Sequence, residues 1–333
     1  MVRFNPKARL DTSRMREVGG GGGGRGGGIG GGGIGVPHIA GGGGVVGVIV
    51  VVVYVLIQVL GSSSGGGSQL TSARLATQGG YSADYSQCRT GADANSSNPR
   101  VQIPCSLVAY ENSLYDYWSK QPDLARRLRA EGTSFSPEKA VVTFEGQVQT
   151  GGCGSATTDV GPFYCSGDGD IYLDEAFYST VARQLGIDPT GFVRAYVVAH
   201  EYGHHIQDLL GTMSKVHTRQ GPDSDSVRLE LQADCYAGMW ANAASDTKDS
   251  SGVDIFDSIT RGDVQQAVTA AGEVGDDYIQ KRMSGSVDQG SFTHGTSQQR
   301  MAWFSTGYGD TSGDLGRCDT FGARNLSDPA SVG

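Results

Sequence analysis

The sequence predicts a mostly helical α+β domain with a small β-sheet, preceded by one transmembrane helix. Three observations indicate this fold class. Apolar residues recur at intervals of three and four in several long stretches, as amphipathic helices require, and two shorter apolar stretches are typical of strands. One uncharged apolar segment near the N-terminus is long enough to cross a bilayer.

The helical and strand patterns can be assigned to particular stretches. PCSLVAYENSLYDYW has helical spacing, and Pro104 stands near its start, where proline is favoured. AVVTFEGQV and DIYLD are predicted strands. EAFYSTVARQLG is a predicted helix that ends at Gly186, and helices are expected to dominate from Phe192 to the C-terminus.

Residues 40–60 are predicted to be a signal anchor. They carry no charge, and about 20 such residues span a bilayer as a helix. Six basic residues precede the segment against two acidic ones, which places the N-terminus in the cytoplasm and the following domain outside. A cleaved signal peptide fits less well, because a long glycine-rich stretch precedes the segment and GSSSGGGSQL is a weak cleavage site.

The charge distribution argues against a nucleic-acid-binding protein. The chain has a formal net charge of -9, and the part after residue 60 holds 20 basic against 33 acidic residues. Nucleic-acid binding requires a basic surface. The acidic excess indicates a soluble domain that has no nucleic acid among its partners.

The six cysteines all follow the apolar segment and are even in number, which indicates an oxidising compartment outside the cytoplasm. Their spacing favours two local disulfide bonds and one that closes a long loop, although six cysteines allow 15 pairings. The candidate pairs are Cys88–Cys105, Cys153–Cys165 and Cys235–Cys318.

A possible metal site lies in AYVVAHEYGHHIQDLL. His200 and His204 are four residues apart, so on a helix both imidazoles face the same side and can bind one ion. Glu201 is offset by about 100° from His200, because an α-helix has 3.6 residues per turn. Its carboxylate is therefore expected beside the open position of the metal, where a general base would act.

The stretch SVRLELQADCYAGMW offers a third ligand. Glu230 and Asp234 are again four residues apart on a predicted apolar helix. Glu230 would bind the metal, and Asp234 would accept the outer ring N–H of a ligand histidine. Two histidines and one carboxylate fit a single Zn²⁺ best, although iron and manganese accept similar donors.

Six sequence blocks resemble, in order, the bacterial putative neutral zinc metallopeptidases, which are membrane-anchored proteins. In chain order the blocks are GPFYC, IYLD, HEYGHHIQ, ELQADCYAG, THGTSQQR and CDTF, and the resemblance extends from about Gln87 to Phe321. It implies a zincin-like domain of the glutamate-ligand type. In this domain His200, His204 and Glu230 would bind zinc, Glu201 would be the catalytic base, and Asp234 would support the site.

The expected function is membrane-anchored, zinc-dependent hydrolysis of peptide bonds in a protein or peptide substrate. A zinc-activated water would attack the bond while Glu201 accepts its proton. His294 is the first candidate for stabilising the oxyanion, followed by Tyr202 and Tyr236. His205 points away from His204 and is expected to have a packing or supporting role.

A non-catalytic, zinc-containing cell-surface binding or scaffold domain is the alternative function. A structural zinc site is usually closed by four protein ligands and has no need of Glu201 as a base. If the protein is a peptidase, an extended peptide substrate could lie against a sheet edge supplied by TFEGQVQTGGCG, where glycines allow close approach of the two backbones.

Together these predictions divide the chain into five parts. They are a cytoplasmic, glycine-rich flexible segment (1–39), a transmembrane signal anchor (40–60), a flexible linker (61–86), a zinc metallopeptidase domain (87–325) and a tail (326–333). The protein is expected in the cell membrane with a single crossing, the N-terminus in the cytoplasm and the C-terminal domain outside.

Overall fold

A computed structural model describes residues 2–18, 83–178, 182 and 191–332. This part of the chain is a mostly helical α+β structure with small sheets, as the sequence predicts. The helices are α1 (Gly91–Ala94), α2 (Pro99–Ser119), α3 (Pro122–Ala130), α4 (Phe192–Leu209), α5 (Asp225–Ala243), α6 (Arg261–Glu273), α7 (Asp276–Ser284) and α8 (Ser297–Gly309).

The largest described sheet has four strands in the order β2-β3-β7-β6. Its first three strands are parallel, and β6 pairs antiparallel with β7. Two-stranded antiparallel sheets form from β1 with β8 and from β4 with β5. The strands are β1 (Arg3–Phe4), β2 (Met15–Val18), β3 (Ala140–Phe144), β4 (Gln147–Gln149), β5 (Ser155–Thr157), β6 (Phe163–Cys165), β7 (Asp170–Asp174) and β8 (Phe256–Ser258).

Helix α2 begins earlier than its apolar pattern indicates. The side chain of Asn98 accepts a hydrogen bond from the Arg100 N–H, and Pro99 occupies the first turn. Asparagine caps and first-turn prolines both favour a helix start. Pro104 therefore lies inside the helix, and the expectation that it marks the start was wrong.

The predicted strand AVVTFEGQV is divided into two strands that belong to different sheets. Gly146 has φ of +81°, a left-handed conformation that glycine adopts without strain, and it turns the chain between β3 and β4. DIYLD forms β7 as predicted. Most of the predicted helix EAFYSTVARQLG lies outside the described residues.

Residues 2–18 belong to the folded domain. Strand β2 extends the main sheet, with Met15 opposite Val141, and the ring of Phe4 packs 5.3 Å from those of Tyr110 and Phe256. The prediction of a flexible segment over residues 1–39 was therefore wrong for residues 2–18. Strands of two and four residues carry too little periodic pattern to be recognised from sequence.

This arrangement also bears on the expected membrane topology. The proposed anchor (40–60) and most of the proposed linker (61–86) lie outside the described residues. A single crossing by residues 40–60 would place residues 2–18 and the domain on opposite sides of the membrane, where β1 and β2 could not pair with β8 and β3. Within the described ranges, no helix combines the length and apolar character that crossing a bilayer requires.

The domain also extends beyond the C-terminal boundary predicted at residue 325. Leu326 is buried, and its carbonyl accepts a hydrogen bond from Trp303 Nε1 at 2.9 Å. All six cysteines form disulfide bonds in the pairs that their spacing favours, Cys88–Cys105, Cys153–Cys165 and Cys235–Cys318.

Helices α4 and α5 pack closely because Gly203 faces Ala233. A Cβ atom at Gly203 would lie only 3.0 Å from the Ala233 carbonyl oxygen, closer than side-chain carbons normally approach. The aromatic rings of Phe192 and Trp240 stack between the same two helices with centroids 5.7 Å apart. This packing brings the polar residues of the two helices together.

Candidate metal centre

Three predicted ligands converge between α4 and α5. His200 and His204 project from the same face of α4, one turn apart, with ring centroids separated by 4.8 Å. Glu230 faces them from α5, and one ligand atom from each residue lies within 4.8 Å of the others. All three side chains are buried, which favours a bound cation because an isolated buried carboxylate is costly.

Asp234 fixes the orientation of His200. His200 Nδ1 donates a hydrogen bond to Asp234 Oδ1 at 2.9 Å, and His200 Nε2 lies 3.1 Å from Glu230 Oε2. Burial lowers the pKa of His200, but the Asp234 carboxylate outweighs this effect and raises the pKa to about 10. The site therefore favours a positive charge between His200 and Glu230.

Two residues that support Asp234 were not identified as site residues from the sequence. The guanidinium of Arg300 donates from Nε to Asp234 Oδ2 at 2.8 Å and from Nη2 to Oδ1 at 3.0 Å. The Tyr196 hydroxyl donates to Asp234 Oδ1 at 2.6 Å. Tyr196 lies four residues before His200, on the same helix face, so helical spacing could have indicated it.

A different partner orients His204. Its Nδ1 donates to the side-chain carbonyl of Gln207 at 2.7 Å, and its Nε2 lies 3.5 Å from Glu230 Oε1. Burial lowers the pKa of His204 to about 4. The neutral ring therefore directs the lone pair of Nε2 towards the Glu230 carboxylate. These two groups are both hydrogen-bond acceptors, and a cation between them would stabilise the arrangement.

Glu201 has the environment of a general base. Burial raises its pKa to about 7, although a hydrogen bond from the Tyr164 backbone N–H acts in the opposite direction. Its Oε2 is buried and has no hydrogen-bond partner among the described residues. A carboxylate oxygen in this position can accept a proton from a water molecule in the adjacent cavity.

The donor set fits zinc. Two imidazole nitrogens and one carboxylate oxygen are a known ligand set for catalytic zinc, which keeps a further position for water or substrate. No other group of three His, Cys, Asp or Glu side chains that could hold a metal is found within the described ranges. One ion at this position would bind the ring nitrogens of His200 and His204 and balance the negative charge of Glu230.

The structure places His294 at the same cavity as His200 and Glu201. Its Nδ1 lies 3.2 Å from Asp276 Oδ1 and 2.8 Å from the Thr293 hydroxyl. Burial lowers the pKa of His294, but the negative charges of Asp276 and Glu230 produce a net increase. A protonated His294 would present a second N–H to the cavity.

The other oxyanion candidates lie elsewhere. Neither Tyr202 nor Tyr236 lines the cavity. Tyr202 is buried beside Glu138, and this burial raises its pKa. Tyr236 packs edge-on against Trp118. His205 Nε2 lies 2.9 Å from the Ser136 carbonyl oxygen, and its packing or supporting role stays a prediction.

The walls of the cavity around the metal centre are mostly apolar. None of its lining residues comes from TFEGQVQTGGCG, so this stretch does not supply the edge proposed for substrate. Residues 160–162, which lead into the edge strand β6, line the cavity instead. The apolar lining includes Val160, Pro162, Phe177, Val193, Val197 and Val274.

Comparisons with known proteins agree with these observations. Residues 11–321 match the family described as "Putative neutral zinc metallopeptidase". The chain is 44% identical over 245 residues to uncharacterized proteins of Mycobacterium tuberculosis and Mycobacterium bovis, covering 73% of this chain and 77% of each relative.

A more distant relative is the uncharacterized protein YpfJ of Escherichia coli K12, with 40% identity over 213 residues, 62% of this chain and 67% of YpfJ. No solved structure has significant similarity to the chain. Because the family match spans most of the chain and includes both helices of the metal centre, this protein belongs to the putative neutral zinc metallopeptidase family.

Proposed function

We propose that the protein is a zinc metallopeptidase of the glutamate-ligand zincin type, which hydrolyses peptide bonds. One observation carries this proposal. His200, His204 and Glu230 converge at a cavity into which Glu201 brings a buried carboxylate oxygen that has no described partner. A purely structural zinc site would not require such a group.

Each residue then has a defined task. His200, His204 and Glu230 would hold Zn²⁺, which polarises the scissile carbonyl and acidifies a water molecule when it is bound. Glu201 accepts a proton from that water and delivers it to the leaving amide nitrogen. Asp234 keeps His200 oriented, and Arg300 balances the charge of Asp234.

His294 is proposed to stabilise the developing oxyanion. Asp276 accepts hydrogen bonds from the backbone N–H groups of Thr293, His294 and Gly295, at 2.7, 2.7 and 3.1 Å. These contacts fix the loop that carries His294 and orient its ring. A preorganised N–H donor stabilises charge more effectively than mobile water does.

The cavity supports a substrate with a large apolar side chain beside the scissile bond. Its walls are valine, proline and aromatic side chains, which favour apolar groups over charged ones. Among the described lining residues, Arg300 is the only Lys or Arg side chain, and its donors bind Asp234, Tyr196 and the Val274 carbonyl. The absence of a free Lys or Arg side chain among these described lining residues favours cleavage within a chain over recognition of a terminal carboxylate.

An extracytoplasmic location is proposed for the domain. Disulfide bonds persist in oxidising compartments, and all six cysteines form them. Residues 40–60 are the proposed membrane contact. Because residues 2–18 complete the sheets of the domain, we place them in its compartment. An epitope tag before Met1 should then bind external antibody on intact cells, whereas a protected tag with an accessible domain would refute this placement.

Metal analysis and peptide cleavage test the proposed function. The full chain, purified without chelators, should contain one zinc per molecule. It should cleave a peptide mixture next to bulky apolar residues and lose this activity in chelator until zinc is restored. Bound zinc without cleavage of any peptide would instead support a binding or scaffold role, and protein without metal would refute both zinc-based functions.

A further inference from the structure

We propose that Gln207 is a positioning residue for the ligand His204, and that Gln232 and the Cys318 carbonyl hold the Gln207 amide in its orientation. This inference rests on the proposed zinc site. The four residues, His204, Gln207, Gln232 and Cys318, form what we call the amide relay. All four are buried.

The orientation of the Gln207 amide follows from its neighbours. Its Nε2 lies 2.7 Å from the backbone carbonyl of Leu229 and 3.1 Å from Gln232 Oε1. A backbone carbonyl can only accept hydrogen bonds, so the NH₂ end of the amide must face it. Gln207 Oε1 is thereby directed at His204 Nδ1, at 2.7 Å.

This orientation selects one tautomer of His204. Since Gln207 Oε1 only accepts, His204 Nδ1 must carry the proton, and Nε2 keeps its lone pair. Nε2 faces Glu230 and is the nitrogen available to a metal. A hydrogen-bond partner of this kind, which does not touch the metal itself, orients the ring of a ligand histidine and increases its basicity.

The orientation of the Gln232 amide follows in the same way, one hydrogen bond further from the metal. Its Nε2 donates to the Cys318 carbonyl at 2.9 Å, which leaves its Oε1 to accept from Gln207. Cys318 is bound by a disulfide bond to Cys235, on the helix that carries Glu230. The relay therefore connects the turn at Cys318 to the metal ligand His204. In each of its hydrogen bonds the donor and the acceptor are determined.

The relay also explains why a neutral residue serves His204 when a carboxylate serves His200. Asp234 is compensated by Arg300, which lies 2.8 Å away. The residues around Gln207 provide backbone and amide groups, and a carboxylate there would face the Leu229 carbonyl without a donor. An amide orients His204 without adding a second buried negative charge.

Zinc binding by Gln207→Met tests the relay with a readout other than activity. Methionine fills a similar volume but lacks the amide oxygen that accepts the hydrogen bond from His204 Nδ1. We expect the zinc affinity of the full chain, measured by chelator competition, to fall about 10- to 100-fold. The visible spectrum of the cobalt-substituted variant should also change, because the orientation of one ligand is no longer fixed.

Gln280→Met is the matched control. Gln280 is also buried and also donates two hydrogen bonds and accepts one, but its partners are Asp288 and Ser291, and none of these three residues lines the cavity at the metal centre. The zinc affinity and the cobalt spectrum of Gln280→Met should equal those of the wild type. Melting of the metal-free proteins shows whether the two variants lose comparable stability.

Gln232→Met provides a second test that leaves Gln207 in place. Its zinc affinity should fall by less than that of Gln207→Met, because the Gln207 amide is present but less firmly held. Wild-type zinc affinity in Gln207→Met, or an equal loss in Gln280→Met, would overturn the relay while leaving the zinc site intact. A wild-type protein that binds no zinc would refute the proposed function itself.

Discussion

Replacing Arg14 with methionine should destabilise the domain, although Arg14 lies outside the predicted domain boundaries. Arg14 Nε lies 2.6 Å from Glu111 Oε1 and 3.7 Å from Glu138 Oε1. Both carboxyl side chains have no solvent exposure, whereas the Arg14 side chain is 17% exposed. Methionine has an unbranched side chain of similar length but removes the positive charge, and with it the cation–π contact in which the guanidinium carbon lies 4.2 Å from the centre of the Tyr115 ring.

The size of the effect follows from this burial. Burial and the neighbouring Glu111 raise the pKa of Glu138 well above its ordinary value, and Arg14 is the cation that lies beside both carboxyl groups. Removing one partner of a buried ion pair costs about 3–5 kcal/mol. The partial exposure of Arg14 favours the lower end, about 3 kcal/mol, or a decrease of about 6 °C in melting temperature for a domain of this size.

Thermal melting of the full chain measures this loss. Arg16→Met is the control two residues further along the chain, because Arg16 is 59% exposed and lies 3.8 Å from Asp170, a surface pair worth about 0–1 kcal/mol. Adding Glu111→Gln to Arg14→Met should restore part of the lost stability. Equal melting temperatures for Arg14→Met and Arg16→Met would refute the placement of residues 2–18 in the domain.

Two further substitutions have definite expected outcomes. Because its pKa is raised, Glu138 keeps its proton in the folded state to a higher pH than in the unfolded chain, so its contribution to stability falls as pH rises above about 4.5. Melts of Glu138→Gln from pH 5 to 8 should therefore show a smaller loss of stability with rising pH than melts of the wild type. Identical slopes would contradict this expectation. Arg300→Met leaves Asp234 buried without its cation, so denaturant unfolding should show a loss of about 3–5 kcal/mol. An unchanged unfolding midpoint would show that this pair does not support the site.

Local spacing made the metal centre largely predictable. The separation of four residues between His200 and His204 determines a shared helix face, and the same argument applies to Glu230 and Asp234. Asp234 lies beside His200 as expected, at 2.9 Å. The roles of these residues in zinc binding and catalysis stay predictions until metal and activity are measured.

The supporting residues could not be predicted because tertiary packing selects them. Arg300 follows Asp234 by 66 positions, and Gln232 reaches Cys318 across 86. Neither separation leaves a periodic pattern in the sequence. The N-terminal strands could not be predicted for a related reason. Strand β2 pairs with β3 more than 100 residues away, and four residues are too few to show the alternation of apolar and polar residues typical of a strand.

Replacing Glu201 with glutamine tests the central claim most directly, because it separates metal binding from catalysis. Glu201 faces the cavity without belonging to the three converging ligands, so Glu201→Gln should retain one zinc per chain. Its rate of peptide cleavage should fall by about 10²- to 10⁴-fold, the usual contribution of a general base. Cleavage at the wild-type rate by the zinc-loaded variant would contradict the assignment of Glu201 as the base and the proposed mechanism with it.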